Sequence, residues 1–185
     1  MAANADNALY FLVTTLFDLV LWAFLLRVLL QWVRADFYNP ISQLIWQVTR
    51  YPADWLRGIV PRWRNLDNAA LLVLFLLATI YIYIVSALLG FHIDSLSLAA
   101  YALLKIAVLL VNLLTFTLFV QAILSWVGPG VNNSASNVLW SLNEPLLRPV
   151  RRFIPPMAGL DLSPLAVMLA LQVVSRLIPL PGVFR

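Results

Sequence analysis

Four long apolar runs dominate the chain, at 9–33, 69–90, 98–127 and 162–180, each bounded by polar or proline-containing sequence. An α-helix rises ~1.5 Å per residue, so each run is long enough to cross a hydrocarbon core of ~30 Å. The third exceeds that thickness and is expected to tilt or extend into the interface. Long polar segments separate the first run from the second and the third from the fourth, while only FHIDSLS, residues 91–97, separates the second from the third. The pattern predicts an all-α polytopic membrane protein with four transmembrane helices.

Composition agrees, because 63% hydrophobic and 11% charged residues lie outside the range of soluble globular domains. Four spans use most of 185 residues, leaving little for a separate soluble domain. The absence of cysteine excludes disulfides, thiolate nucleophiles and thiolate metal sites. No basic segment precedes the first apolar run, which is therefore expected to be a span and not a cleaved leader.

Charge adds orientation. Of twelve basic residues, eight lie in the two long polar segments: Arg34, Arg50, Arg57, Arg62, Arg64, Arg148, Arg151 and Arg152. Segments rich in Arg stay cytoplasmic, so both should face the cytoplasm, with the N- and C-termini periplasmic. The net charge of +4 is then a consequence of topology, and no nucleic-acid partner is expected.

Shifting the sequence by 94 positions aligns Trp32-Val33 with Trp126-Val127, Asn39 with Asn133, Ser42 with Ser136, Trp46 with Trp140, Arg57 with Arg151, Pro61 with Pro155, and Leu66-Asp67 with Leu160-Asp161, without a gap. Rare residue types in one register mark an internal repeat. The two units, 9–90 and 98–182, each hold two spans joined by an interfacial amphipathic segment. An even number of spans per unit inserts both the same way round, a parallel pair about an axis along the membrane normal.

Within the second unit, Trp126 is a natural anchor at the headgroups, as Trp32 is in the first. Gly128-Pro129-Gly130 should end the third span, and Asn133 or Ser134 should cap a short helix over 135–143 that carries Asn137 and Trp140 and is broken by Glu144-Pro145. Arg148, Arg151 and Arg152 would share one side if helical, facing anionic lipid, an acidic partner or Glu144. Pro155-Pro156 should turn the chain before Asp161 opens the last span.

The run SWV, then N-x-x-x-N, then NEPLLRPVRRFIPP and GLDLSP, from Ser125 to Pro164, resembles the signature of the YggT/YlmG family of small integral membrane proteins. The duplicated plan extends the resemblance over nearly the whole chain. The first copy is degenerate, with Arg50-Tyr51-Pro52 where the second has Asn143-Glu144-Pro145. The resemblance implies a bacterial inner-membrane location, and roles in cell division, in assembly of membrane complexes and in osmotic stress tolerance. It implies no biochemical activity.

Chemistry within the chain is sparse. Asp67 and Asp161 could pair as protease carboxylates do, but capping of the spans they precede is the favoured reading. The one histidine, His92, is expected on the opposite face from the conspicuous serines. No cofactor or metal site is expected. Asp18, Asn112 and Arg176 are polar positions inside spans, and intramembrane charges are paired or line pathways. An Asp18–Arg176 pair is expected, with Asn112 facing the bundle interior, while Arg27 and Lys105 should snorkel to opposite surfaces.

The leading expectation is a non-enzymatic scaffold or assembly factor acting through its cytoplasmic segments on anionic lipids and an unidentified protein partner. The alternative is a small transport or channel-like protein in ion or osmotic homeostasis, for which homo-oligomers would be needed, since four helices enclose only a narrow path.

Overall fold

The computed structural model describes residues 2–58, 60, 67–127, 133–154 and 161–185, with 2–6 and 125–127 described by backbone alone. Six helices account for most of them: α1 (Ala2–Trp32), α2 (Pro40–Arg57), α3 (Asn68–Leu88), α4 (Ser95–Val127), α5 (Ser134–Arg151) and α6 (Ser163–Leu177). A 3-10 turn at Gly182–Phe184 follows. No strand occurs among the described residues.

Three helices are long and apolar enough to cross a membrane, over Asn7–Trp32, Asn68–Leu88 and Ser95–Leu124. The fourth apolar run gives a shorter helix of 15 residues. It stops because Ile178 precedes Pro179, whose ring drives the residue before it out of helical geometry, and Ile178 is extended at φ −70°, ψ 119°. Pro164 sits in the first turn of α6, where its missing N–H costs no hydrogen bond.

Helix α1 packs on α3, α4 on α6, and α3 on α4. The two remaining helices bridge each pair: α2 lies on α1 and α3, α5 on α4 and α6. The main core combines Leu21 and Phe24 of α1, Leu74 and Ile82 of α3, and Leu109 and Leu113 of α4. A smaller one joins Leu118, Leu147 and Val167 of α4, α5 and α6. Many apolar side chains instead face outward, among them Leu12, Leu19, Tyr83, Leu103, Phe119 and Leu169. Such an apolar exterior is compatible with a membrane.

Helices α2 and α5 are each 18 residues long and amphipathic. Asn39 caps α2 by accepting from Ile41 N at 2.9 Å. Asn133 caps α5 in a reciprocal capping box with Ser136. The expected break at Glu144-Pro145 does not occur: α5 runs through both Pro145 and Pro149, as α2 runs through Pro52. An internal proline removes a hydrogen bond and crowds the preceding turn. Burial of Val138, Leu142 and Leu147 along the inner face of α5 holds the helix across that defect. The expected turns at 128–130 and 155–156, with Pro61, lie outside the described residues.

Two helix ends close alike. After α3, Gly90 at φ 74° lets its N–H reach Ala87 O and that of Phe91 reach Ser86 O, the Schellman pattern. After α1, Arg34 N reaches Gln31 O and Ala35 N reaches Leu30 O, with Arg34 itself at φ 55°. A left-handed conformation costs a residue with a Cβ about 1 kcal/mol relative to glycine. The C-terminal turn is tied back by Tyr10 Oη, which donates to Val183 O at 2.7 Å, and by Arg185, which donates to the Ser175, Ile178 and Leu180 carbonyls.

Candidate functional site

The polar residues of this apolar chain converge where α2 and α5 meet the ends of the long helices. In the first unit the centre is Asp67, which caps α3 through Ala70 N and is 2% exposed. Its Oδ2 accepts from Arg27 of α1 at 2.9 Å and from Arg57 of α2 at 2.5 Å. Arg27 also donates to Thr49 Oγ1 at 2.9 Å, and the Asp67 N–H donates to Gln31 Oε1 at 3.0 Å. Asp54 holds Arg57 from the solvent side. Three helices are thereby clamped by one carboxylate.

Burial alone would raise the Asp67 carboxyl, but hydrogen bonds from Arg57 and Arg27, reinforced by their charges, hold it below the ordinary carboxylate range. A buried guanidinium is tolerated only when its charge and donors are answered, which explains why Arg27, 5% exposed, does not snorkel as expected from sequence. The same geometry places Arg57 and Asp67 in one site, while Trp32 is exposed and lines the separate apolar cleft.

The second unit repeats the plan with different chemistry. Arg151 of α5 donates Nε to Asp161 at 2.9 Å and Nη1 to Glu144 at 2.9 Å, and its guanidinium lies 5.5 Å from the Trp140 ring. Burial would raise Asp161, but Ser163 and Arg151 as hydrogen-bond donors lower it. Below this pair, Asn143 is fully buried. It donates to Gln121 Oε1 at 2.7 Å and accepts from Thr117 at 2.8 Å. Asn39 joins the units, donating to Ser134 O at 2.7 Å.

The three expected arginines therefore separate: Arg151 turns inward, while Arg148, Arg152 and the cap-proximal Asn137 are exposed. The side chain of Trp126 and Pro155 lie outside the described side chains. Pro145 lines an apolar cleft of about 380 Å³ with Val28, Leu71, Leu110 and Leu142.

Three expectations within the long helices are corrected. Asp18 pairs with Lys105 of α4, at 2.7 Å, and not with Arg176, which is exposed. Depth along the helices admitted either cation, but α1 packs against α4, while α6 packs against α4 and α5. Lys105 is 1% exposed and lies 4.3 Å from the Tyr81 ring centroid, so it too does not snorkel. Asn112 faces outward and is exposed rather than lining the interior. Its helix buries Val111 and Leu113 on the opposite sides.

Sequence reasoning missed Thr49, Gln31, Gln121 and Asn143 as site residues. The signal was present: the offset that aligns the arginines also places Arg27 on Gln121 and Thr49 on Asn143, polar upon polar within apolar surroundings.

A cleft of about 300 Å³ opens beside the first clamp, lined by Arg27, Arg34, Arg57, Asp67, Ser42 and Trp46, with Leu30, Ile45 and Phe37 as apolar wall. Among the described residues, Ser42 Oγ and Arg57 Nε are buried without a hydrogen-bond partner.

Long apolar helices bridged by two amphipathic, arginine-clamped helices define an all-helical protein compatible with a membrane. The chain belongs to the CCB3/YggT family, which matches it twice, over residues 6–88 and 100–181. It is 38% identical over 170 residues to the uncharacterized protein YggT of Escherichia coli K12, covering 91% of this chain and 88% of that protein. An uncharacterized Pseudomonas aeruginosa protein is 35% identical over 175 residues, covering 94% and 89%. A Vibrio alginolyticus protein from the proC 3′ region is 39% identical over 171 residues, covering 90% of each. No solved structure matches the chain.

Proposed function

We propose that the protein is a non-enzymatic, four-span protein of the bacterial inner membrane whose helices α2 and α5 lie at the cytoplasmic interface and organise anionic lipid and a protein partner. The observation that carries this reading is the clamping of both amphipathic helices onto the bundle by Arg57–Asp67 and Arg151–Asp161, which fixes their outer faces as a rigid platform. Trp55 of α2, 91% exposed, and Phe153, just past the end of α5 and 86% exposed, are side chains of the kind that anchor at headgroup level. Arg148 and Arg152 form no ion pair among the described residues, so their charges are available to lipid phosphates or an acidic partner.

In this reading α6 is the fourth span: its 15 residues rise about 22 Å, and flanking Leu162 and Ile178 lengthen the apolar stretch. The two units then form a parallel pair, with both termini periplasmic and the arginine-rich segments inside.

A photo-cross-linker at Asn137 in native membranes tests the platform. A discrete partner should be captured, and Arg148→Glu with Arg152→Glu should abolish capture without altering conductance of reconstituted liposomes. Capture indifferent to both reversals, or ion flux carried by the purified protein, would sink this reading.

A further inference from the structure

We infer that the cleft between α2 and the ends of α1 and α3 binds a phosphate group. This deepens the interfacial reading of α2 and rests on it. Three arginines, the buried Arg27, the half-buried Arg57 and the exposed Arg34, line the cleft with Asp67 as its one acidic residue. Among the lining residues themselves positive charge is in excess, with Asp54 and Asp36 outside the lining. Guanidinium forks match phosphate oxygens in geometry as well as charge.

Three further features point the same way. Ser42 is 8% exposed, lines the cleft, and has a hydroxyl without a partner among the described residues. Its counterpart Ser136 instead closes the capping box of α5, donating to Asn133 O and accepting from Asn133 N. In the first unit Asn39 N reaches Asp36 O, which leaves the Ser42 hydroxyl for a ligand. Arg57 Nε is likewise buried and unmatched.

The third feature is Arg34. It occupies the left-handed position of a Schellman end, as Gly90 does after α3, and the sequence offset sets Gly128 against it in the second unit. Glycine would relieve the backbone at Arg34, so the first unit keeps a guanidinium there against a local conformational cost. The offset also replaces Arg27 by Gln121. Two of the three cleft arginines are thus absent from the second unit, and the site belongs to the first alone. The apolar wall of Leu30, Phe37, Ile45 and Trp46 suits a phosphate that arrives on a lipid as well as a free one.

The test uses full-length protein in a neutral detergent, with bound ligand counted by native mass spectrometry. The ligands are dioleoyl phosphatidylglycerol, dioleoylglycerol as its phosphate-free control, and inorganic phosphate as competitor. Phosphatidylglycerol should bind at least tenfold more tightly than dioleoylglycerol. Arg34→Gly should weaken it by about tenfold while leaving the unfolding temperature equal or higher, and Ser42→Ala should weaken it severalfold. Competition by inorganic phosphate with the same dependence on Arg34 supports the site and identifies a soluble source, whereas failure to compete identifies the lipid.

Equal binding of the two lipids, or unchanged affinity in Arg34→Gly, overturns the proposal. So does a loss in Arg148→Gln with Arg152→Gln that equals the loss in Arg34→Gly, which would mean diffuse attraction and leave the interfacial platform standing. Failure of the cross-linking experiment with the cleft intact would instead remove the platform alone.

Discussion

In the first half of the chain the bridging helix is held by charge at two depths: Arg57 near the surface and Arg27 beneath it share Asp67. In the second half the upper contact persists as Arg151–Asp161, but the lower one is a neutral amide network of Gln121, Asn143 and Thr117. Arg57–Asp67 falls on Arg151–Asp161 and Arg27–Thr49 on Gln121–Asn143, while the Arg27–Asp67 and Thr117–Asn143 contacts are each peculiar to one unit. A neutral network meets its hydrogen bonds without a charge to desolvate, so it holds two helices together at lower risk. The charged version holds them together and also makes the adjoining cleft basic. The second unit therefore carries the plainer structural solution, and the first carries charge beyond what clamping requires.

The largest effect should come from Asp67→Ala, which leaves Arg27 buried and uncompensated. Removing one partner of a buried pair typically costs ~3–5 kcal/mol, and unfolding in mixed micelles should show a loss of that size. Converting the site to the second unit's version, Arg27→Gln with Thr49→Asn and Asp67 kept for Arg57, should cost much less. Failure of the double variant to improve on Asp67→Ala would mean that the two units are not interchangeable in design.

Lys105→Met should cost less, roughly 2 kcal/mol, because Asp18 is 34% exposed and is not stranded as fully as Arg27 would be. The aligned position in the second unit carries Asn112, so Lys105→Met with Asp18→Asn should return stability close to the parent. A loss as great as that of Asp67→Ala would contradict this ranking.

How much of this was legible beforehand follows from what each signal measures. Apolar run length located α3, α4, the end of α1 and the start of α6 near their observed bounds, because burial in an apolar medium is read directly from composition, but α1 begins at Ala2, ahead of its apolar run. The internal offset located Asn39, Asp67 and Asn133 as helix caps, whereas Asp161, expected to cap the last span, lies one position before the Leu162 cap of α6 and accepts from Ser163 N. It could not say that α5 continues past Pro145, since that depends on Leu142 and Leu147 finding α4 and α6, a tertiary contact that outweighs a local breaker. Partner choice for Asp18 failed for a related reason: depth along a helix is a one-dimensional quantity, while pairing with Lys105 depends on which helices are neighbours. Arg27 was misjudged because burial of a charge turns on a carboxylate forty positions away in sequence.

Acidification separates the clamps from the rest of the bundle. Both Asp67 and Asp161 are held below their usual range, so each favours the folded state above the unfolded carboxylate range near pH 4, and that contribution fades as pH falls through the lower folded value. Unfolding midpoints followed down to about pH 2 should fall in this acid window alone, and Asp67→Asn should flatten the first component while leaving the second.

The second clamp should yield smaller effects throughout. Asp161 is 17% and Arg151 23% exposed, and Arg151 keeps Glu144 when Asp161 is removed. Asp161→Asn is therefore expected to cost about 1–2 kcal/mol, well under half the effect at Asp67. The caps come last. Asn133→Ala removes one half of a capping box and should cost ~1 kcal/mol. Asn39→Ala removes a single cap bond and also the link to Ser134. If the two units rest on each other through that link, Asn39→Ala should destabilise at least as much as Asn133→Ala despite the weaker cap, and should raise hydrogen exchange at the start of α5. Exchange confined to α2 would mean that the Asn39–Ser134 bond does not couple the two units.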